Sequence, residues 1–316
     1  TGWLVQDCYI HHKSSAVSCK AGLQNSYHVF RGLFLQDMSQ SGSAFTFHGH
    51  HNVLEYTHMG RGTDRLRPHQ YYSVYRNCLL TRMTNSELTG EDPHIDDVQV
   101  SRGTLTAPFW SDKQVVEAIF SRDSTTSNAH FLQIRDESLT GDYNGLICRL
   151  NIVYNVGSLG ENQNMGNERG YNNTFVDLAN TGNISRWFRG SNVRASDNIW
   201  INNSFTRTNN DSQHSPLYTS DGASLTQEYN HEFRSGDLAG SNNQENVDPQ
   251  FTDEAKLNFM PKASSPLVGK QRPQTRTRVG GSNSTTVAVE DADYFIDGWG
   301  IVEGDRIRIG TSSWVR

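Results

Sequence analysis

Apolar and polar residues alternate along this chain in short runs, too brief for helices and spaced too regularly for loops. Two alternating apolar positions, a polar pair and a small or apolar residue recur in Val5-Gln6-Asp7-Cys8-Tyr9, Phe30-Arg31-Gly32-Leu33-Phe34, Leu54-Glu55-Tyr56-Thr57-His58 and Tyr75-Arg76-Asn77-Cys78-Leu79. The pattern returns in Cys148-Arg149-Leu150-Asn151-Ile152, Tyr171-Asn172-Asn173-Thr174-Phe175 and Ile201-Asn202-Asn203-Ser204-Phe205. With Cys8, Leu33, Thr57, Cys78, Asn151, Thr174 and Ser204 as equivalents, the steps are 25, 24, 21, 73, 23 and 30 residues. The long interval requires at least one further turn, expected around Val115 to Phe120. Such a period is too short for a propeller blade and too rich in strand for helical repeats. It fits one turn of an all-β, right-handed parallel β-helix, a solenoid whose turns stack strand on strand.

The polar pair becomes Asn-Asn in the later turns. Amides at one corner of successive turns can donate and accept along the stack, so Asn173 and Asn203 are expected in neighbouring turns with covered side chains. The glycosylation sequons at Asn172 and Asn202 read as a by-product of that ladder.

A second stripe alternates strictly in Val17-Ser18-Cys19-Lys20, Phe45-Thr46-Phe47-His48, Val98-Gln99-Val100-Ser101 and Leu132-Gln133-Ile134-Arg135. A side-chain period of two turns Val17, Phe45, Val98 and Leu132 inward, and Lys20, His48, Gln99, Gln133 and Arg135 outward. Asn164, Arg186 and Arg189 extend the outward row. Strands stacked about 4.8 Å apart would align these residues as a lateral binding face. Insertions at Gly60 to Gln70, Asn85 to His94 and Thr104 to Lys113 are expected to wall a groove beside it. The solenoid is expected over residues 1–270 and a linker over 271–284. Residues 285–316 read as a small β-module that residues beyond the sequence would complete.

Composition narrows the picture. Only 34% of residues are hydrophobic, while 10% are aromatic and 27 are Gly, which suits a thin core under a polar surface. A formal net charge of -6 argues against nucleic acid, whose phosphates want a basic face. No apolar run reaches the roughly 18 residues needed to cross a bilayer. Cys8, Cys19, Cys78 and Cys148 are too few for a disulfide scaffold and read as buried thiols.

The repeat and its Asn172-Asn173-Thr174-Phe175 corner resemble the pectin-lyase-like right-handed β-helix proteins, secreted or phage-borne, over roughly residues 1–270. Within that class, Phe47-His48-Gly49-His50-His51-Asn52-Val53 is similar to the Arg-His-Gly-x-x-Asn-Val stretch of the chondroitinase-B-like alginate and chondroitin lyases. His48, Gly49 and Asn52 match that stretch. The arginine that takes part in catalysis in that family is replaced here by Phe47, and the family's lysine, one turn earlier, compares with Lys20. The resemblance implies a shared scaffold for polysaccharide chemistry.

Eliminative cleavage of a uronate polymer needs a cation against the carboxylate, a base for the C5 proton and an acid for the departing oxygen. Lys20, His48 and Arg135 are the catalytic candidates, with Gln99, Gln133, Arg186 and Arg189 as substrate-binding neighbours. A hydrolase instead needs two carboxyls roughly 5 to 9.5 Å apart. Asp96 and Asp97, with Asp136 about a turn later, are the acidic alternative, and the adjacent carboxylates could equally cap a turn or bind Ca2+. His48, His50, His51, His58 and His69 raise a metal reading, but His50 and His51, neighbours at a corner, are expected to diverge. No nucleotide-binding glycine loop is present, and no cofactor is required by these schemes. The expected function is an extracellular or virion-associated lyase on an anionic polysaccharide such as alginate. A glycoside hydrolase or depolymerase at Asp96 and Asp97, and a non-catalytic glycan-binding or adhesion solenoid, are the alternatives.

Overall fold

Each turn of the chain lays down short strands that pair in parallel with those of the turns before and after. The computed structural model describes residues 2–11, 17–19, 27–36, 45–61, 65–83, 95–101, 113–124, 129–135, 143–163, 165–177, 186–189, 197–207, 216–220, 223–234, 238–280, 285–310 and 314–315. Among the described residues, three long parallel sheets result, with a two-stranded parallel pair, Tyr143–Asn144 with Met165–Gly166, besides. The first has nine strands, from Leu4–Gln6 to Leu225–Glu228; the second has nine, from Tyr9–His11 to His231–Phe233; the third has eight, from Val17–Cys19 to Leu217–Ser220. This is a parallel β-helix, with the right-handed connection that parallel strands favour. Among the described residues no helix is long and apolar enough to cross a membrane.

The first and second sheets meet at a tight corner of constant design. Asp7, Gly32, Tyr56, Asn77, Ala118, Leu150, Asn172, Asn202 and Tyr229 all adopt left-handed backbone there, with φ between 50° and 63°. Asparagine tolerates that region best among residues with side chains, which explains the first Asn of each Asn-Asn pair. The second Asn turns inward. The Oδ1 of Asn151 accepts from the Ile119 backbone N–H, Asn173 from Asn151, Asn203 from Asn173, Asn230 from Asn203 and Asn243 from Asn230, at 2.9–3.0 Å. The Nδ2 atoms of Asn151, Asn173, Asn203 and Asn230 also donate to carbonyls of the preceding turn, at Val116, Cys148, Gly170 and Trp200. Asn173 and Asn203 therefore lie in successive turns with buried amides, as expected.

The register corrects the spacing. Leu79 pairs with Phe120 and Phe120 with Ile152, so one turn, carried by Gln114–Glu117 and Phe120–Ser124, fills the long interval. Ile152 pairs with Thr174 and Thr174 with Ser204. The equivalents of Asn151 are thus Asn173 and Asn203, one residue before the expected Thr174 and Ser204. A second correction concerns residues 60–70. Leu66–Tyr71 is a strand of the third sheet, between Phe45–His50 and Ile95–Ser101, whereas Pro68, Arg67 and His69 had made it read as an insertion. Residues 85–94 and 104–112 lie outside the described set.

Phe45, Val98 and Leu132 are fully buried in one core with Phe131, Phe175, Phe188, Trp200 and Phe205; the Val17 side chain lies outside the described set. Phe175 stacks on Phe205 with ring centroids 5.1 Å apart. Gly170 admits Trp200, since a β-carbon there would overlap the indole. Cys78 and Cys148 are buried free thiols and Cys8 is half-buried, while the Cys19 side chain lies outside the described set. Burial pushes the Cys78 thiol up to about 12.

The C-terminal region folds back on the solenoid. An antiparallel pair, Phe251–Asp253 with Asn258–Pro261, packs Phe251 and Phe259 against Val176, Phe120 and Ile152. Beyond it, Asn202 holds the Arg272 backbone through both amide atoms, and Thr277 bridges Val289. Tyr294 and Ile296 cover the outer face of the first sheet at Val74, Val115, Ile147, Tyr171 and Ile201. Arg149 fastens this strap with two 2.7 Å bonds to Asp305 and one to Glu117, and Arg169 pairs with Asp291 at 2.9 Å. A small antiparallel pair, Ile307–Arg308 with Trp314–Val315, ends the chain.

Candidate functional site

The third sheet carries most of the candidate chemistry, and its register shows which positions share a column. Phe45 pairs with Leu66, Leu66 with Val98 and Val98 with Leu132, all buried. Three residues further along each strand, His48 pairs with His69, Ser101 with Arg135, Gln163 with Arg189 and Arg189 with Ser220. Counted from Leu66 opposite Val98 and from Ile134 opposite Asn162, these pairs form one backbone column: His48, His69, Ser101, Arg135, Gln163, Arg189, Ser220. Three expected site residues thus occupy equivalent positions in three turns. Lys20 and Asp136 lie outside the described residues.

The other candidates fall elsewhere. Gln99 and Gln133 pair with each other in the next column, with Thr46, Arg67, Glu161, Trp187 and Tyr218. They were expected to be open to substrate, yet Gln99 is 5% and Gln133 0% exposed. Gln133 donates to Glu161 Oε2 at 3.1 Å and accepts from the Glu161 backbone, so this amide is spent within the sheet. Arg186 pairs with Gly160 and Leu217, in the inward column of Leu132, and does not join the outward row.

The acidic alternative is sealed. Asp97 is 0% exposed, and alternation breaks here: Asp97 and Val98 are both buried, as Phe131 and Leu132 are one turn on. Inside, Asp97 accepts from Ser121 and, at 3.4 Å, from Ser124. Arg65 Nη1 lies 2.9 Å from Asp97 Oδ1, off the hydrogen-bonding direction, while its Nη2 donates to Ser124 at 2.6 Å. Burial pushes the Asp97 carboxyl up, opposed by Arg65 and the two serines. Asp96, also fully buried, faces His130 Nδ1 at 2.9 Å. Carboxylates already committed to a guanidinium and an imidazole fit neither a glycosidic bond nor Ca2+. Among the described residues no group of three or more His, Cys, Asp or Glu could hold a metal ion.

A denser cluster lies at the corner that leads from the third sheet into the first. Tyr27, His51 and Tyr72 take left-handed backbone in three successive turns, φ 65°, 55° and 51°. Tyr27 stacks on His51 at 4.9 Å and His51 on Tyr72 at 5.1 Å. One residue earlier, His50 stacks on Tyr71 at 5.0 Å, its register partner at the end of the third sheet. His50 and His51 do not diverge as expected: the left-handed turn brings their Nδ1 atoms to 2.7 Å. Tyr72 meets Trp299 of the C-terminal strap edge-on at 5.4 Å.

All of these rings except Tyr27, which is exposed, are half-buried. Burial holds both imidazoles below their usual range, His51 further by the charge of His50. Burial and the phenols of Tyr72 and Tyr27 raise Tyr71. Near neutral pH the pair is therefore uncharged, and one Nδ1–H donates to the other Nδ1. Such a bond forces opposite tautomers, one ring with a bare Nε2 and the other with Nε2–H. Sequence reasoning had flagged His50 and His51 only for metal, and had passed over Tyr27, Tyr71 and Tyr72; the repeated Tyr or His at this corner was the available signal. No protein-family model matches the chain, and neither does any curated protein or solved structure.

Proposed function

We propose that the protein binds an acidic polysaccharide along the outer side of its third sheet and cleaves it by β-elimination, as an extracellular or virion-associated lyase. The observation that carries this reading is the single column with His48, His69, Arg135 and Arg189 at one position per turn. Strands about 4.8 Å apart repeat on a scale comparable to one sugar residue of an extended polymer. The column holds two imidazoles and two guanidiniums among its seven residues and no carboxylate, so a polyanion is the ligand class it would suit on a chain whose net charge is -6. The partial resemblance around His48, Gly49 and Asn52 points to the same substrate class. The buried Asp96 and Asp97 give hydrolysis no comparable footing.

Alginate, pectate, chondroitin and capsular polymers, each assayed for binding, for the ultraviolet absorbance of an unsaturated uronyl end and for new reducing ends, test the proposal. A lyase gives all three signals with a uronate polymer. Reducing ends without the absorbance would mean hydrolysis, and binding alone an adhesin. No binding to any acidic polymer would end the proposal.

A further inference from the structure

We infer, resting on the polysaccharide reading, that His51 and Tyr71 are the base and acid of the elimination, with His50 as the residue that positions His51. The two groups stand at the rim of the column: His50 and Tyr71 pair in register, two residues beyond His48 and His69, about 7 Å along the strand. A polymer lying on the column reaches them without leaving the sheet. The His51 and Tyr71 rings are 6.3 Å apart and inclined at 77°, a separation that one sugar residue spans. The Nδ1 contact between His50 and His51 couples their tautomers. When His51 donates through Nδ1, its Nε2 is left with a lone pair, and His50 accepts the bond that steadies the imidazolium once it forms. This resembles the way a triad orients its histidine, with a neutral ring in place of a carboxylate.

The steps balance without a co-reactant. His51 Nε2 takes the C5 proton; His48 and His69, the column's members in the same two turns, would donate to the sugar carboxylate and so stabilise the C5 carbanion. The C5 electron pair forms the C4–C5 double bond, the C4–O bond breaks, and its electron pair goes to the departing oxygen. The Tyr71 hydroxyl protonates that oxygen, and the imidazolium proton returns to the tyrosinate through solvent. His48, on the column itself, is then a contact for the polymer rather than the base.

His51→Asn, chosen because asparagine tolerates left-handed backbone, and Tyr71→Phe, which keeps the ring, test the assignment on the full chain. The probe is alginate, or whichever acidic polymer the native chain binds best. Both variants should bind it within about twofold of the native chain and lose roughly a hundredfold or more of unsaturated-product formation. His50→Leu should lower kcat with KM unchanged. Thermal midpoints confirm folding; should His51→Asn fail to fold, Tyr71→Phe decides alone. Undiminished turnover in a folded variant overturns the inference. Binding by the native chain without any unsaturated product overturns it too, while leaving glycan binding intact. Failure of the native chain to bind any acidic polymer strikes the polysaccharide reading first, and this assignment with it.

Discussion

The two corners that flank the first sheet use the same left-handed backbone and end in opposite chemistry. After the sheet, in the turns from Leu150 onward, the residue following the left-handed position is an inward Asn, whose amide is consumed by its neighbours above and below. Before the sheet, the inward residue is again tied along the stack, as Asn52 accepts from the His28 backbone and Ser73 receives the Asn52 N–H. There, however, the left-handed positions carry Tyr27, His51 and Tyr72, with His50 and Tyr71 beside them. In the later turns the first corner's ladder is built of amides alone. The other gathers two imidazoles and three phenols on a half-covered rim. A ladder of self-satisfied amides holds the coil together, whereas stacked imidazoles and phenols leave polar edges that the fold itself covers only in part.

Removing an amide from the first corner is the harshest test of that contrast. Asn203→Ala strands the Asn173 N–H and the Gly170 carbonyl, and should destabilise by about 2–6 kcal/mol at roughly 1–3 kcal/mol per orphaned buried group. Chemical denaturation reads this, with polymer affinity per folded molecule unchanged. A smaller loss is expected on the face between the corners. Asp305→Ala breaks the two bonds from Arg149 and the one from the Ile296 backbone N–H, but Glu117 remains as a partner of Arg149, so about 2 kcal/mol is expected by the same measurement.

Acid should separate the corners next. His28, His50 and His51, all at the first-sheet entrance, are held below their usual range mainly by burial; His58 and His231 shift the same way. The unfolded chain then takes protons at about pH 6.5 while the folded chain still refuses them, so stability falls as pH drops below about 6.5 and levels off beneath the folded values. Thermal midpoints across pH 7 to 5 should show that slope. His51→Asn should flatten it, and Asn203→Ala should lower the whole curve without changing its shape. Smallest of all, Tyr72→Phe removes only a half-covered hydroxyl, and should change stability by less than about 0.5 kcal/mol.

Much of this architecture was legible in the chain because β-structure writes itself in a period of two. Phe45, Val98 and Leu132 read as inward, and His48 with Arg135 as one column, from alternation alone. The strand Leu66–Tyr71 was hidden by Pro68 and by the charged residues around it, which carry no apolar alternation. The slip from Asn173 to Thr174 came from a run of small polar residues whose phase only backbone pairing decides. Gln99 and Gln133 lie opposite each other as alternation implies, but their burial depends on the third dimension, as does the break in alternation that sets Asp97 beside Arg65. The meeting of His50 and His51 depends on one φ angle at His51, which sequence does not record.

Calorimetric titration of alginate against a neutral glucan tests most directly whether an acidic polymer lies along the column of the third sheet. The native chain should bind alginate more tightly than the glucan, with affinity falling as salt rises through about 0.5 M. Arg135→Ala should weaken that binding while leaving the thermal midpoint in place. Equal affinity for both polymers, indifferent to salt and to Arg135→Ala, would contradict the account.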